Sequence, residues 1–213
     1  MSCATYEPGE CVELEEFLPY VLPQAPNAPA EMVAHYIRLA AIQLCRETGL
    51  LQRDVAMDVQ AGVQDYCMEV DGCGETIISV REVCLNGMPL PALRSKPCAG
   101  ACQGSGYFYT QPHELLIWPA PSCDATLGLT AVVNTIPGQD TCALPRVLYD
   151  NWAEVVGDCA ASKLLLVKGA DWYDTQAAGI YLKRYLNGKR DAKNSVARGN
   201  VRGATVMRTR RWI

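Results

Sequence analysis

The sequence predicts an α+β fold: a three-helix unit with an inserted antiparallel β-unit and extended N- and C-terminal arms. Three observations carry that expectation. Apolar residues recur at helical spacing from about residue 30, and again after Pro145. Between those stretches lie alternating, β-branched segments broken by turn signals. The last residues are rich in arginine and have no regular period. A chain of 213 residues is long enough to bury a sizeable core, as one domain or two small ones.

Residues 1–29 are expected to form an extended N-terminal segment. "LPYVLPQAPNAP" places four prolines in twelve residues, which disfavours a regular helix. Asn27 is the candidate cap of the helix that follows, with Pro29 in its first turn. From Ala30 to Thr48, Val33, Ile37, Ala40, Ala41 and Leu44 form one apolar stripe. Glu31, His35, Arg38 and Arg46 lie outside it, and Gly49 supplies a left-handed stop.

Residues 55–137 read as the β-unit, a sandwich or a curled sheet. "TIISVREVCLNGMPL" is a strand, then Asn86-Gly87, then a short return. Asn-Gly is favoured in two-residue hairpin turns because both central residues need positive φ. "GYFYTQPHELLIWPAP" is two strands about Pro112, and "ATLGLTAVVNTIP" is another strand. A long Gly-rich loop, "PALRSKPCAGACQGSG", separates them. Tyr107, Phe108 and Tyr109 read as a sheet face or edge ahead of a nucleic-acid stacking platform.

After Pro145, Leu148, Trp152, Val155, Val156, Cys159 and Ala160 form a second helical stripe continuing toward Leu164, and Gly169 is expected to end this helix. Asp171 is the expected cap of a third helix, from about Trp172 to Asn187, ending at Gly188. Ala177, Ile180, Tyr181 and Arg184 share one face of it. The helical domain is therefore 30–50 together with 146–188, and 189–213 is a basic C-terminal arm.

Charge is divided unevenly. Lys189, Arg190, Lys193, Arg198, Arg202, Arg208, Arg210 and Arg211 stand against Asp191 alone, a net of +7 for the arm. The whole chain is −4, which leaves −11 for residues 1–188. Such a tail meets something acidic, or else serves as a solubilising extension. It ends on an apolar pair, Trp212-Ile213, and Trp and Arg are enriched at interface hot spots. The expected docking residues on a neighbour or partner are Arg198, Arg202, Arg208, Arg210, Arg211, Trp212 and Ile213.

Eleven cysteines are present. The first residues, MSCATYEPGECVELEEF, are acidic and lack an apolar stretch, so neither a signal peptide nor a disulfide framework is expected. Most of the cysteines read as small buried apolar residues. Cys98 and Cys102 are the best metal or redox candidates, although two close ligand pairs are wanted for zinc and only one is present. No nucleophile elbow, phosphate loop or dinucleotide fingerprint occurs. His35 and His113 are far apart and have no evident catalytic partner. No enzyme activity, cofactor, metal site or membrane span is expected.

Several segments resemble the head–tail adaptor (connector) proteins of tailed bacteriophages. "LPYVLPQAPNAP" followed by "HYIRLAAIQLCRETGL" resembles the family's Pro-rich lead-in and its first helix with an Arg-x-Ala-Ala-type core, here Arg38, Ala40 and Ala41. "IISVREVCLNGMPL" resembles its first β-element. "ALPRVLYDNWAEVVGDCAASKLL" resembles its returning helix, with a leading Leu-Pro, then Trp152, then a small-residue patch. The element order is similar to that of podovirus tail tubular adaptors, over about residues 17–190. The cysteine richness departs from the family.

The resemblance implies a structural virion protein of the neck, assembled in the host bacterial cytoplasm. It implies a homo-oligomeric ring, commonly a dodecamer, beneath the portal protein. Such a ring extends the channel for double-stranded DNA without gripping it and is a platform for the next neck or tail protein. The C-terminal arm would reach the portal. Arg38, Ala40, Ala41, Trp152, Ala160, Ala161, Ala177 and Ala178 are the candidates for close helix packing, within a subunit or across the ring interface. Two alternatives stand beside this reading: another neck or tail component, such as a stopper or tail-tube subunit, and a nucleic-acid-binding module using the basic tail.

Overall fold

A computed structural model describes residues 11–70, 72–95, 105–110 and 113–199. It has both helices and antiparallel sheets, an α+β fold. Three long helices, α1 (Ala30–Thr48), α2 (Arg146–Leu164) and α3 (Thr175–Ala197), pack together, and two of the sheets are inserted between α1 and α2.

The N-terminal segment is ordered more tightly than its prolines suggest. Strand β1 (Cys11–Glu13) is followed by 3-10 turns at Leu14–Tyr20 and Leu22–Gln24. Leu14, Phe17, Val21, Ala25 and Ala28 are buried in the helical core. Their spacing of three and four residues suits short 3-10 turns, in which every third side chain lies on one side. The expected extended segment is thus a packed strap. Glu15 and Glu16 are exposed on it.

In α1, Val33, Ile37, Ala40, Ala41 and Leu44 are all fully buried, and Gly49 ends the helix with φ 65°. Asn27 makes no cap, because Pro29 itself occupies the N-cap position. The strap, α1, α2 and two residues of α3, Tyr185 and Ala192, share one core.

The β-unit begins at Leu51, earlier than the expected 55. Its strands are β2 (Leu51–Val59), β3 (Asp65–Cys67), β4 (Glu75–Leu85), β5 (Met88–Leu90), β6 (Gly106–Thr110), β7 (Glu114–Trp118) and β8 (Ala125–Pro137). One antiparallel sheet has the order β2-β8-β4-β5 and a second the order β3-β7-β6. Val55, Ile77, Leu129 and Val133 of the first and Tyr66, Tyr107, Leu115 and Ile117 of the second form one core. The unit is therefore a small sandwich. The β4–β5 turn places Asn86 at φ 51° and Gly87 at φ 77°, as a type I′ hairpin requires. Tyr107 is buried, and the Tyr109 hydroxyl donates to the Ile77 carbonyl at 3.2 Å, so this aromatic strand serves the sheet core.

A further strand, β9 (Ala143–Pro145), pairs antiparallel with β1 just before α2. Nearby, Cys11 and Cys73 form a disulfide with Cα atoms 5.9 Å apart, and Cys142 is also disulfide-bonded. The expectation that cysteines would not pair is corrected here. Cys45 and Cys159 do behave as small buried residues, and burial pushes the Cys159 thiol up to about 11. Cys67 and Cys123 are exposed.

Three helix-boundary expectations are also corrected. The last residue of α2 is Leu164, and Gly169, at φ 81°, lies in the turns that follow and does not end the helix. Asp174 caps α3, its carboxylate accepting from the Gln176 and Ala177 amides at 2.9 Å each, and Asp171 lies in the preceding turn. Gly188 does not stop the helix, which runs on to Ala197, so residues 189–197 are helix and not arm. A methyl group at 188 would overlap the Val155 side chain of α2. The glycine is there for close helix approach, not for a left-handed turn.

Candidate functional site

Most of the small residues singled out by sequence are buried inside the subunit, while Ala177 is half-buried and lines a cavity at the start of α3. Ala40, Ala41, Ala160 and Ala161 lie in the helical core, and Ala178 is buried on α3. Trp152 is half-buried against that core. Arg38 is half-buried, and its Nε donates to the Thr141 carbonyl at 2.8 Å, tying α1 to the segment before β9.

The surface features instead collect on α3. Ala178, Tyr185 and Ala192, seven residues apart, are its buried seam. Beside that seam, Glu47 of α1 gathers three donors. Lys189 Nζ lies 2.9 Å from Glu47 Oε2, the Tyr185 hydroxyl donates to the same oxygen at 3.2 Å, and Gln43 donates to Oε1 at 3.0 Å. Partial burial acts to raise the Glu47 carboxyl, but these hydrogen bonds and the Lys189 charge outweigh it and hold it below its ordinary value. Burial above all pushes the Tyr185 hydroxyl up, with nearby Cys159 and Glu47 adding to it.

Outside the seam, Ile180, Leu182 and Leu186 are 58%, 48% and 45% exposed. They stand among Lys183, Arg184, Arg190 and Lys193, opposed on the helix only by Asp191. Arg184 makes a 3.4 Å ion pair with Asp158 of α2 and lies over the Tyr181 ring, 5.6 Å from its centroid. Leu182 and Leu166, both exposed, line an apolar groove of about 330 Å³ between α2 and α3, floored by Ala178 and Cys159.

A second cavity, of about 390 Å³, opens at the turn between α2 and α3. Trp172, Tyr173 and Tyr181 wall it, Asp171 and Asp174 stand at it, and Pro26 of the strap closes one side. Trp172 is fixed by its Nε1, which donates to the Leu164 carbonyl at 3.2 Å. The sequence signal for this site is "DWYD", two acids around two aromatics, which read only as a helix start.

Arg198 follows α3 directly and is exposed, its amide bonded to the last helical carbonyls. Arg202, Arg208, Arg210, Arg211, Trp212 and Ile213 lie outside the described residues, as do Cys98 and Cys102. His35 and His113 are both exposed. Among the described residues no three His, Cys, Asp or Glu side chains converge to hold a metal ion. No described helix is long and apolar enough to cross a membrane.

No protein-family model matches the chain, and no curated protein matches it significantly.

Proposed function

We propose that the chain is a non-enzymatic structural subunit of a virion: a head–tail adaptor that forms a ring beneath the portal, extends the DNA channel and carries the next tail component. The observation that supports this most is the unpartnered surface of α3. This helix of 23 residues buries one narrow seam and exposes Ile180, Leu182 and Leu186 among basic side chains. Apolar rows rimmed by charge mark contact surfaces. The order of helix, inserted sandwich and helix pair agrees with the architecture that the family resemblance implies.

The charge distribution fits the same role. Residues 1–188 carry −11, and a duplex running past an acidic lining gains nothing from counterion release, so it slides without being gripped. The basic segment after α3 docks outside its own subunit, on the portal or on a neighbouring copy. The disulfide at Cys11–Cys73 suits a particle that leaves the reducing cytosol.

The exposed bases Lys183, Arg190 and Lys193 favour a second reading, a nucleic-acid-binding module. A salt series separates the two. The adaptor binds free duplex weakly at every salt, while removal of residues 200–213 abolishes co-sedimentation with the portal. Tight duplex binding that falls by about a thousand-fold between 50 and 200 mM salt would favour the module.

A further inference from the structure

We propose that the cavity at the α2–α3 turn is the receptor for the C-terminal segment of a neighbouring copy, with the Arg210-Arg211-Trp212-Ile213 end of one chain seated between Trp172, Tyr173 and Tyr181 of the next. The inference rests on the ring reading above and names the contact that links its subunits.

The chemistry of the two halves matches. The cavity offers aromatic walls, and at about 390 Å³ it falls within the usual range for binding pockets, roughly 300–1,000 Å³. Tyr173 is 44% exposed, an aromatic face open to a ligand. Asp171 and Asp174 stand at it, and neither has an ion pair among the described residues. The start of α3 contributes about half a positive charge there, which two carboxylates more than offset. The site is therefore net acidic and aromatic, suited to guanidinium and indole groups through ion pairs, stacking and cation–π contact. Arg184 of the same helix already lies over the Tyr181 ring, 5.6 Å from its centroid, which leaves Tyr173 as the open aromatic face for an incoming arginine or indole. The end of the chain supplies three arginines, a tryptophan and an isoleucine within its last six residues.

Charge places the donor on another chain. The segment leaves α3 at its far end, about 35 Å from the start of the helix for 23 residues at 1.5 Å each. To reach the cavity of its own subunit, the chain would have to reverse and run back along α3. That surface exposes Lys183, Arg190 and Lys193 against Asp191, with Arg184 and Lys189 paired to Asp158 and Glu47, and the returning segment would bring Arg202 and Arg208 along it. Like charges at such spacing repel.

The test uses the full-length chain with Trp212→p-benzoylphenylalanine, prepared as an equal mixture of ¹⁴N and ¹⁵N material and irradiated. The expected product is a cross-link between differently labelled chains, mapping to residues 171–181. Asp171→Lys combined with Tyr173→Ser, both exposed positions, should lower its yield by about ten-fold, since charged and aromatic anchors dominate such contacts. Cross-links confined to one chain, mapped elsewhere, or unaffected by the double substitution would overturn the inference. Rings that still form in that case leave the adaptor reading standing. An absence of any ring or portal complex would sink both.

Discussion

Lys189 of α3 and Glu47 of α1 form a 2.9 Å ion pair that also holds the Tyr185 hydroxyl in place. Because the Glu47 carboxyl sits below its ordinary value in the fold, its contribution is present above the unfolded value of about 4.3 and is lost as pH falls through the lower folded value. Glu47→Gln should therefore lower stability at pH 7 by less than about 1 kcal/mol, as the pair is partly exposed. The gap between the two proteins should narrow as the medium is acidified below the unfolded value. Urea midpoints at pH 7 and pH 3.5 measure it, and a gap that widens on acidification would contradict the assignment.

Two glycines of α3 should respond with opposite signs. Gly179 has nothing within 4 Å of a built Cβ, so Gly179→Ala should stabilise by up to about 1 kcal/mol through helix propensity. At Gly188 the methyl would strike Val155, and overpacking of about 1–3 kcal/mol should outweigh the same gain. Val155→Ala introduced together with Gly188→Ala should restore part of the loss. Thermal melts of the three variants suffice.

Glu75 of β4 is a buried carboxylate, with its side chain fully enclosed. It pairs with Arg53 of β2 at 2.6 Å and accepts from the Thr135 hydroxyl of β8. Arg53→Met should cost about 3 kcal/mol by leaving that charge unpaired. Arg53→Met with Glu75→Leu should recover most of it, because the costly element is the orphaned ion and not the lost pair. Chemical denaturation of single and double variants decides this.

That same pair explains why β2 was hard to read. Its inward positions are Leu51, Arg53, Val55, Met57 and Val59, so a charge interrupts the apolar alternation. Period-based reading then starts the β-unit at Val55. Where local pattern and packing agree, the sequence was legible to the residue: the bounds of α1, the Asn86-Gly87 turn and the long strand β8. Gly188 misled because a glycine has two uses, and only the position of Val155 on another helix distinguishes them. The strap and the β1–β9 pairing join segments more than a hundred residues apart, which no local signal reports. The acidic aromatic cavity needed the fold as well, since Tyr181 and Pro26 reach it from other elements.

The Cys11–Cys73 bridge spans 62 residues and ties the strap to the start of β4. On chain entropy alone a loop of that size is worth about 4 kcal/mol. Cys73→Ser should lower stability by about 2–4 kcal/mol under oxidising conditions. The loss should vanish when both proteins are compared in excess reductant. A substitution as costly in reductant as without it would point to packing at Cys73 and away from the bridge.

The central claim is that this subunit closes into a ring on a portal. Electron microscopy of the purified full-length protein, alone and mixed with the portal of its particle, tests that most directly. Closed rings stacked coaxially on the portal are expected, with α3 at a subunit or portal contact. A protein that stays monomeric and never joins the portal would contradict it.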